Sequence, residues 1–281
     1  KEGDKVLATI TKRGERHADH RCKISAVFGS SDKAYSSALA VLYMNDVETE
    51  FPIAVQDEAR HISGMKITDK DIYGRLDLRD KIIFTIDGAD TKDIDDAVSV
   101  EKAENGWKLG VHIADVSHYV KPNSELDKDA FLRGTSIYYA NKVIPMLPKE
   151  LSNGICSLNP KEDRLTLSCI MEIDRKGRVV TYDIFESVIC SAARMTYRDV
   201  NAILAGDEGL REKYASLVEM LEQLDQLRAV LTKRRQRRGA LNFDFPEAKV
   251  ILDEAGEPLE IRKRVHDRGE QLIEECMIVA N

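Results

Sequence analysis

KIIFTIDGADTKDIDDAVSVEKAENGWKLGVHIADV, residues 81–116, decides both the fold and the chemistry of this chain. It opens on an apolar strand, KIIFTID, which ends at Asp87 beside Gly88, where the backbone can turn sharply. The runs AVSVEK and WKLGVHIADVSHYV predict a β-hairpin about Asn105-Gly106. Between strand and hairpin lie five aspartates: Asp87, Asp90, Asp93, Asp95 and Asp96. Two carboxylates about 4 Å apart repel by roughly 4 kcal/mol at an effective dielectric near 20. Water screens this on an open loop, but a run between two apolar strands needs a cation or raised pKa values.

Three readings compete for this cluster. A solvated turn uses Asp side chains to cap backbone N–H groups. A calcium loop of the EF-hand type needs Gly at its sixth position. Counting from Asp90 puts Asp95 there, and counting from Asp93 puts Val98 there, so neither register fits. A magnesium phosphoryl-transfer site fits better. Mg²⁺ takes oxygen ligands and keeps waters that a phosphate can replace. Asp87 leaves a strand end, and Asp93, Asp95 and Asp96 are predicted on one irregular loop that can aim carboxylates inward.

Working outward, residues 1 to about 45 read as β-rich, with KVLATIT, CKISAVFG and ALAVLYM as strand candidates. EFPIAVQDEARHI (50–62) reads as an extended entry and a short helix, and TDKDIYGRLDLRD (68–80) as a polar joint. NSELDKDAFLRGTSIYY (123–139) begins with a capping pattern, Ser124 and Asp127, and is helical through its middle. VIPMLPKEL is a Pro-punctuated loop. Two strands flank Lys176-Gly177, and TYRDVNAILAG starts a helical region. The longest helix is predicted over 210–239, with apolar positions 217, 220, 221, 224, 227, 230 and 231 on one stripe and Gly239 at its end. A further hairpin (KVILDEAGEPLEIRKRV) and a final helix follow. The fold class expected is α+β: a mixed, mainly antiparallel sheet with surrounding helices, preceded by a small β remnant.

The net charge of -7 argues against a surface coated in basic nucleic-acid patches, but a local groove matters more than the sum. The charge is uneven: Lys233, Arg234, Arg235, Arg237 and Arg238 stand together. They either line a phosphate path or complement the dipole of a long helix. Five scattered cysteines without a CxxC read as reduced thiols of a cytoplasmic protein. No apolar run is long enough for a bilayer. KEGDKV lacks a starting Met, and GEQLIEECMIVAN lacks a helix stop, so both ends read as cuts through a longer protein. His112 and His118 lie in the hairpin beside the cluster. They are not assigned as ligands, because the cluster is oxygen-rich.

FTIDGADTKDIDDAVSV followed by LGVHIADVSHYV resembles the catalytic domain of the ribonuclease II/ribonuclease R (RNB) exoribonuclease family. RGTSIYYANKVIPMLPKELSNGICSLNPKEDRLTLSC, RRGALNFDFPEA and HDRGEQLIEECMIVAN extend the match over about 65–281, in wording nearer the ribonuclease R branch. Residues 1–45 resemble the end of a cold-shock (OB-type) RNA-binding domain, with 46–64 as linker and 65–281 as the start of the RNB domain.

The resemblance implies a processive 3′→5′ exoribonuclease, releasing nucleoside 5′-monophosphates with Mg²⁺ or Mn²⁺ from a single-stranded RNA end. It implies Asp87, Asp93, Asp95 and Asp96 as the catalytic acids. Asp87, Asp93 and Asp96 are read as metal ligands and Asp95 as the most rate-critical carboxylate. Asp90 stays a turn residue. Tyr138 and Phe243 map to the aromatic pair that stacks on the 3′-end bases and Glu274 to the acid that binds the terminal nucleotide. Tyr139 and Glu275 are close rivals by position, and Arg237 and Arg238 join the RNA path. The family's later arginine and trailing S1-type domain have no counterpart here. The expectation is therefore an intact acidic site with little or no activity in this segment alone, and exposed apolar surface. The rivals are an RNA-binding regulator with a non-catalytic RNB domain and a structural metal site in a nucleotide-binding protein.

Overall fold

The structure, a computed structural model, describes residues 1–139, 142–241, 245, 247–253, 256, 258–263 and 266–281. It forms two compact units, each taken by itself. One comprises Lys1–Pro52, Asp129–Met146 and Pro246–Arg264, the other Ile53–Lys128, Leu147–Phe245 and Val265–Asn281. Strands and helices are numbered in chain order.

In the first unit, β1 (Asp4–Lys12) and β2 (Arg21–Ser30) pair antiparallel, and α1 (Ala34–Met44) packs on them. ALAVLYM is therefore helix, not strand. Ala, Leu and Met are strong helix formers, and the run has none of the apolar–polar alternation of a half-buried strand. Val6, Ile10, Ile24 and Val27 of the ribbon are exposed. Two more antiparallel ribbons belong here, β7 (Ile137–Tyr139) with β8 (Lys142–Ile144) and β12 (Ala248–Leu252) with β13 (Pro258–Lys263).

The second unit is built on a seven-stranded sheet. Its strands are β3 (Leu76–Asp77), β4 (Phe84–Asp87), β5 (Asp96–Ala103), β6 (Gly106–Ala114), β9 (Asp163–Asp174), β10 (Val179–Cys190) and β11 (Ala193–Thr196). They lie in the order β11-β4-β5-β6-β9-β10-β3. The four inner pairings are antiparallel and the two outermost parallel, so the sheet is mixed and mainly antiparallel, as expected. Opposite Ala103 stands Gly106, which puts Glu104 and Asn105 in the turn, one residue earlier than predicted. Gly106 is needed within β6 itself, because a Cβ there would lie 1.9 Å from the Ile173 carbonyl oxygen.

α6 (Tyr197–Leu204), α7 (Glu208–Lys213), α8 (Ala215–Arg237) and α9 (Arg268–Ala280) pack on this sheet and on one another, and α2 (Ile53–Ser63) packs on the helical stretch Glu150–Ile155. Two single turns, α3 (Asp69–Ile72) and α4 (Val116–Tyr119), also belong here, and α5 (Glu125–Arg133) begins in this unit. α5 starts as its sequence suggested: Ser124 Oγ accepts from Asp127 N at 3.2 Å, and Asp127 accepts from Asn123 N at 2.7 Å. The long helix predicted over 210–239 is broken at Tyr214, whose φ of -111° and ψ of 32° are not helical. Asp207 caps the shorter piece through Leu210 N. The stripe holds: Leu217, Leu221, Leu224, Leu227 and Leu231 are buried, with Met220 and Val230 packed at the margin. They cover one sheet face, against Phe84, Ile86, Val98 and Val100, together with Leu272 and Cys276 of α9. The other face buries Ile83, Ala97 and Ile189 against Ile94 and Leu158.

TDKDIYGRLDLRD is more than a polar joint. Besides α3 and the edge strand β3, it supplies Arg75, whose guanidinium is 5% exposed and pairs at 2.6 Å with Asp115, itself 3% exposed. Trp107 packs in the core and donates to Gln223 Oε1 at 3.1 Å.

Candidate active site

The four acids gather where β4 and β5 end. Asp87 is the last residue of β4 and Asp96 the first of β5, with Asp93 and Asp95 on the connection between them. Asp96 is thus a strand residue, opposite Ile113, rather than part of the loop. The pairing begins that early because Ala114 N donates to Asp95 O at 2.9 Å. Ile94, between Asp93 and Asp95, is fully buried under the sheet and anchors the connection there.

Burial and mutual repulsion shape the titration of the group. Burial, Asp96, and then Asp95 and Asp93 raise the Asp87 carboxyl to about 7, against a downward pull from Arg194. Burial and Asp95 raise Asp96 to about 6, and burial and Asp93 also raise Asp95. Oδ2 of Asp87 and Oδ2 of Asp96 are buried with no hydrogen-bond partner among the described residues. Buried carboxylate oxygens are normally satisfied, so this pair is an exception that calls for an explanation. Among the described residues no three His, Cys, Asp or Glu side chains already stand as a closed ligand set. Two oxygen donors on facing strand ends, with Asp93 and Asp95 alongside, still match the chemistry of a hard cation.

A pH dependence follows. Folding that raises a carboxyl from near 3.8 to about 7 favours the protonated form. The stability contributed is complete below about pH 4 and is lost as the pH rises through 7. The metal-free chain is expected to lose thermal stability between pH 5 and 7.5, and Mg²⁺ to restore it mainly at the higher pH, where the ligands are ionised. Melting curves of the chain and its Asp87→Asn variant, with and without Mg²⁺, check this. Parallel behaviour of the two proteins at both pH values would contradict it.

The second group of acids lies on α9. Glu275 is buried and accepts from Thr232 Oγ1 at 2.8 Å and from Arg235 at 3.0 and 3.1 Å, tying α9 to α8. Glu274 is half-buried, 3.6 Å from Arg235 and 3.5 Å from His266, and it lines a cavity of about 250 Å³. Glu275 lines that cavity too, so the two rivals differ in burial and bonding: Glu275 is buried and bonded within the α8–α9 contact, and Glu274 is half-buried. The basic run divides as well. Arg234 donates to the Gly177 carbonyl at 2.9 Å, while Arg237 and Arg238 are exposed. Tyr138 lies in the first unit and is 66% exposed. Tyr139 is half-buried, and burial and Tyr35 push its hydroxyl up. Phe243 lies outside the described residues.

His112 is a core residue. It is buried between Ser168 Oγ at 2.6 Å and Ser99 Oγ at 3.1 Å, and burial lowers it to about 4. His118 sits 3.2 Å from Asp71 and 3.3 Å from Arg75. Two residues around the acids had no signal in the sequence. Ser157 lies in the Pro-flanked stretch after β8, and Arg194 on β11. Both hold the aspartate connection from more than sixty residues away.

With this geometry in hand, comparisons identify the lineage. The RNB domain matches residues 75–281. The chain belongs to the RNB domain family. It is similar to Ribonuclease R 1 of Lactococcus lactis, 49% identical over 92% of this chain, and to Ribonuclease R of Thermotoga maritima, 48% identical over 100% of it. It spans 32% and 40% of the lengths of those relatives. Among solved structures, Mycoplasma genitalium RNase R in complex with ribose-methylated single-stranded RNA superposes with a TM-score of 0.89 at 30% identity. That match covers 99% of this chain and 43% of the other.

Proposed function

We propose that this chain carries the acidic centre of a divalent-metal 3′→5′ exoribonuclease that hydrolyses RNA processively to nucleoside 5′-monophosphates. The observation that carries the reading is the pair of buried, unpartnered oxygens on Asp87 and Asp96, in a family whose relatives are ribonucleases. Asp87, Asp93 and Asp96 would hold Mg²⁺ or Mn²⁺. When bound, such an ion polarises a phosphate and lowers the pKa of a water. Asp95, the most rate-critical carboxylate in this reading, would orient the attacking water and take its proton. Arg237 and Arg238 neutralise phosphates of the incoming strand. Tyr138 and Phe243 stack on bases, worth about 1–3 kcal/mol per base and indifferent to sequence, which suits an enzyme that accepts every nucleotide in turn. Glu274 accepts from the terminal ribose, while Glu275 keeps α9 in place. Residues 1–45 contribute a cold-shock-type RNA-binding surface. Among the described residues no helix is long and apolar enough to cross a membrane.

Fold alone does not establish an activity. The test is the product. The whole protein, given a long 3′-hydroxyl RNA and Mg²⁺, is expected to release 5′-monophosphates from the 3′ end. RNA that is bound but stays intact would favour the non-catalytic RNB reading instead.

A further inference from the structure

We propose that Ser157 and Arg194 are positioning residues that hold the connection between β4 and β5 in the shape that binds metal, an inference resting on the metal reading above. Residues 88–95 have no helix or strand of their own, yet two of the proposed functional acids sit on them. A ligand set needs its side chains fixed before the ion arrives, and irregular backbone does not supply that by itself.

Two side chains from distant parts of the chain supply it. Ser157 is fully buried, and its Oγ accepts from Ile94 N at 3.1 Å while donating to the Lys92 carbonyl at 2.8 Å. One hydroxyl therefore grips the backbone on both sides of Asp93. The neighbouring Leu158 N donates to Ile94 O at 2.9 Å, which continues the same clasp. Arg194 reaches from β11, the strand beside β4, and its Nη2 donates to the carbonyls of Ala89, at 3.2 Å, and Thr91. Residues 89, 91, 92 and 94 are thus held through their backbone, and Asp93 and Asp95 project from between and beside the held points. No regular ladder does this work. If it is left to the loop, the acids repel one another apart.

The competing view is that Ser157 and Arg194 serve folding alone. Ser187 provides a matched comparison: it is equally buried and bonded to Thr166 and Ser168, but touches no part of the connection. Mn²⁺ affinity of the 281-residue chain, read from the EPR signal of free Mn²⁺, is measured for the parent and for Ser157→Ala, Arg194→Met, Arg194→Lys, Ser187→Ala and Asp87→Asn. Thermal midpoints are recorded alongside, and all titrations run well below them. Ser157→Ala and Arg194→Met are expected to weaken Mn²⁺ binding by about ten- to a hundredfold, the range seen when the outer partners of metal ligands are lost. Arg194→Lys recovers part of that, because an ammonium can serve one carbonyl but lacks the planar fork. Ser187→Ala leaves the affinity unchanged, whatever it does to the midpoint.

Parental affinity in both Ser157→Ala and Arg194→Met, with loss in Asp87→Asn, overturns this inference and leaves the metal reading standing. An equal loss in Ser187→Ala overturns it too. A parent chain that takes up no Mn²⁺ at millimolar concentration removes both together. Arg194 is only half-buried, so its variants carry the test should Ser157→Ala fail to fold.

Discussion

Asp95→Asn in the whole protein is expected to lower RNA hydrolysis at least about a hundredfold, the low end for losing a positioned proton acceptor, while leaving the metal-free fold as stable or slightly more so. Both halves have the same origin. The Asp95 carboxyl is raised by burial and by Asp93, so its ionised form is disfavoured where it stands. The amide keeps the size and removes the charge. A site that repels itself when empty is a local conflict of the kind that marks function rather than folding. Initial rates of 5′-monophosphate release, set beside melting curves without metal, check the two halves separately. An active Asp95→Asn protein would reject the catalytic role. A variant that loses activity only because it melts early would reject the electrostatic account.

The largest loss of stability is expected at Asp115→Ala, about 3–5 kcal/mol, the range for removing one partner of a buried pair. Asp115 accepts from Arg75 at 2.6 Å, from Ser117 Oγ at 2.7 Å and from His118 N at 3.1 Å. Burial pushes its carboxyl up, but the bonds from Ser117, Arg75 and His118 outweigh burial and hold it below the usual range. Its contribution is therefore present above pH 4 and is lost as the pH falls, opposite in sign to that of Asp87. Without it the Arg75 guanidinium stays buried, with Glu186 at 3.9 Å as its nearest other carboxylate. Arg75→Met combined with Asp115→Ala should recover much of the loss, because the desolvated charge leaves with its partner. A double-mutant cycle by urea unfolding measures this, and additive single losses would show that the pair is not coupled.

Much of the second unit was legible because its strands are bounded by local signals. KIIFTID ends at a Gly, the β5–β6 hairpin turns at Glu104-Asn105, one residue before the position its Asn-Gly signal marked, and the β9–β10 hairpin turns at Lys-Gly. The stripe on α8 was readable for the same reason, since its period lies within one helix. What failed depended on partners distant in sequence. ALAVLYM is the exception, since its strong helix formers and lack of a period-two pattern were local signals that its strand reading passed over. Arg75 looked like one more polar residue of a joint, because Asp115 is forty residues away. The aspartates announced themselves by number and spacing, whereas Ser157 and Arg194 act through single side chains on a backbone they meet only after folding. The choice between Glu274 and Glu275 was equally invisible. Adjacent identical residues, both near Arg235, differ in that Glu275 alone is buried and bonded to Thr232.

β4 and β5 pair at a single register, Phe84 opposite Val98, whereas β4 stays in step with β11 down to Asp87 opposite Thr196. β4 and β5 thus fork just where the carboxylates begin. β11 holds β4 along its length on one side of that fork, and the clasped connection joins the prongs. Anything that dislodges β11 would therefore change the fork's span. Selectivity among cations of different radius should then answer to the seam between β4 and β11, where Asp87 is the proposed ligand that the pairing holds.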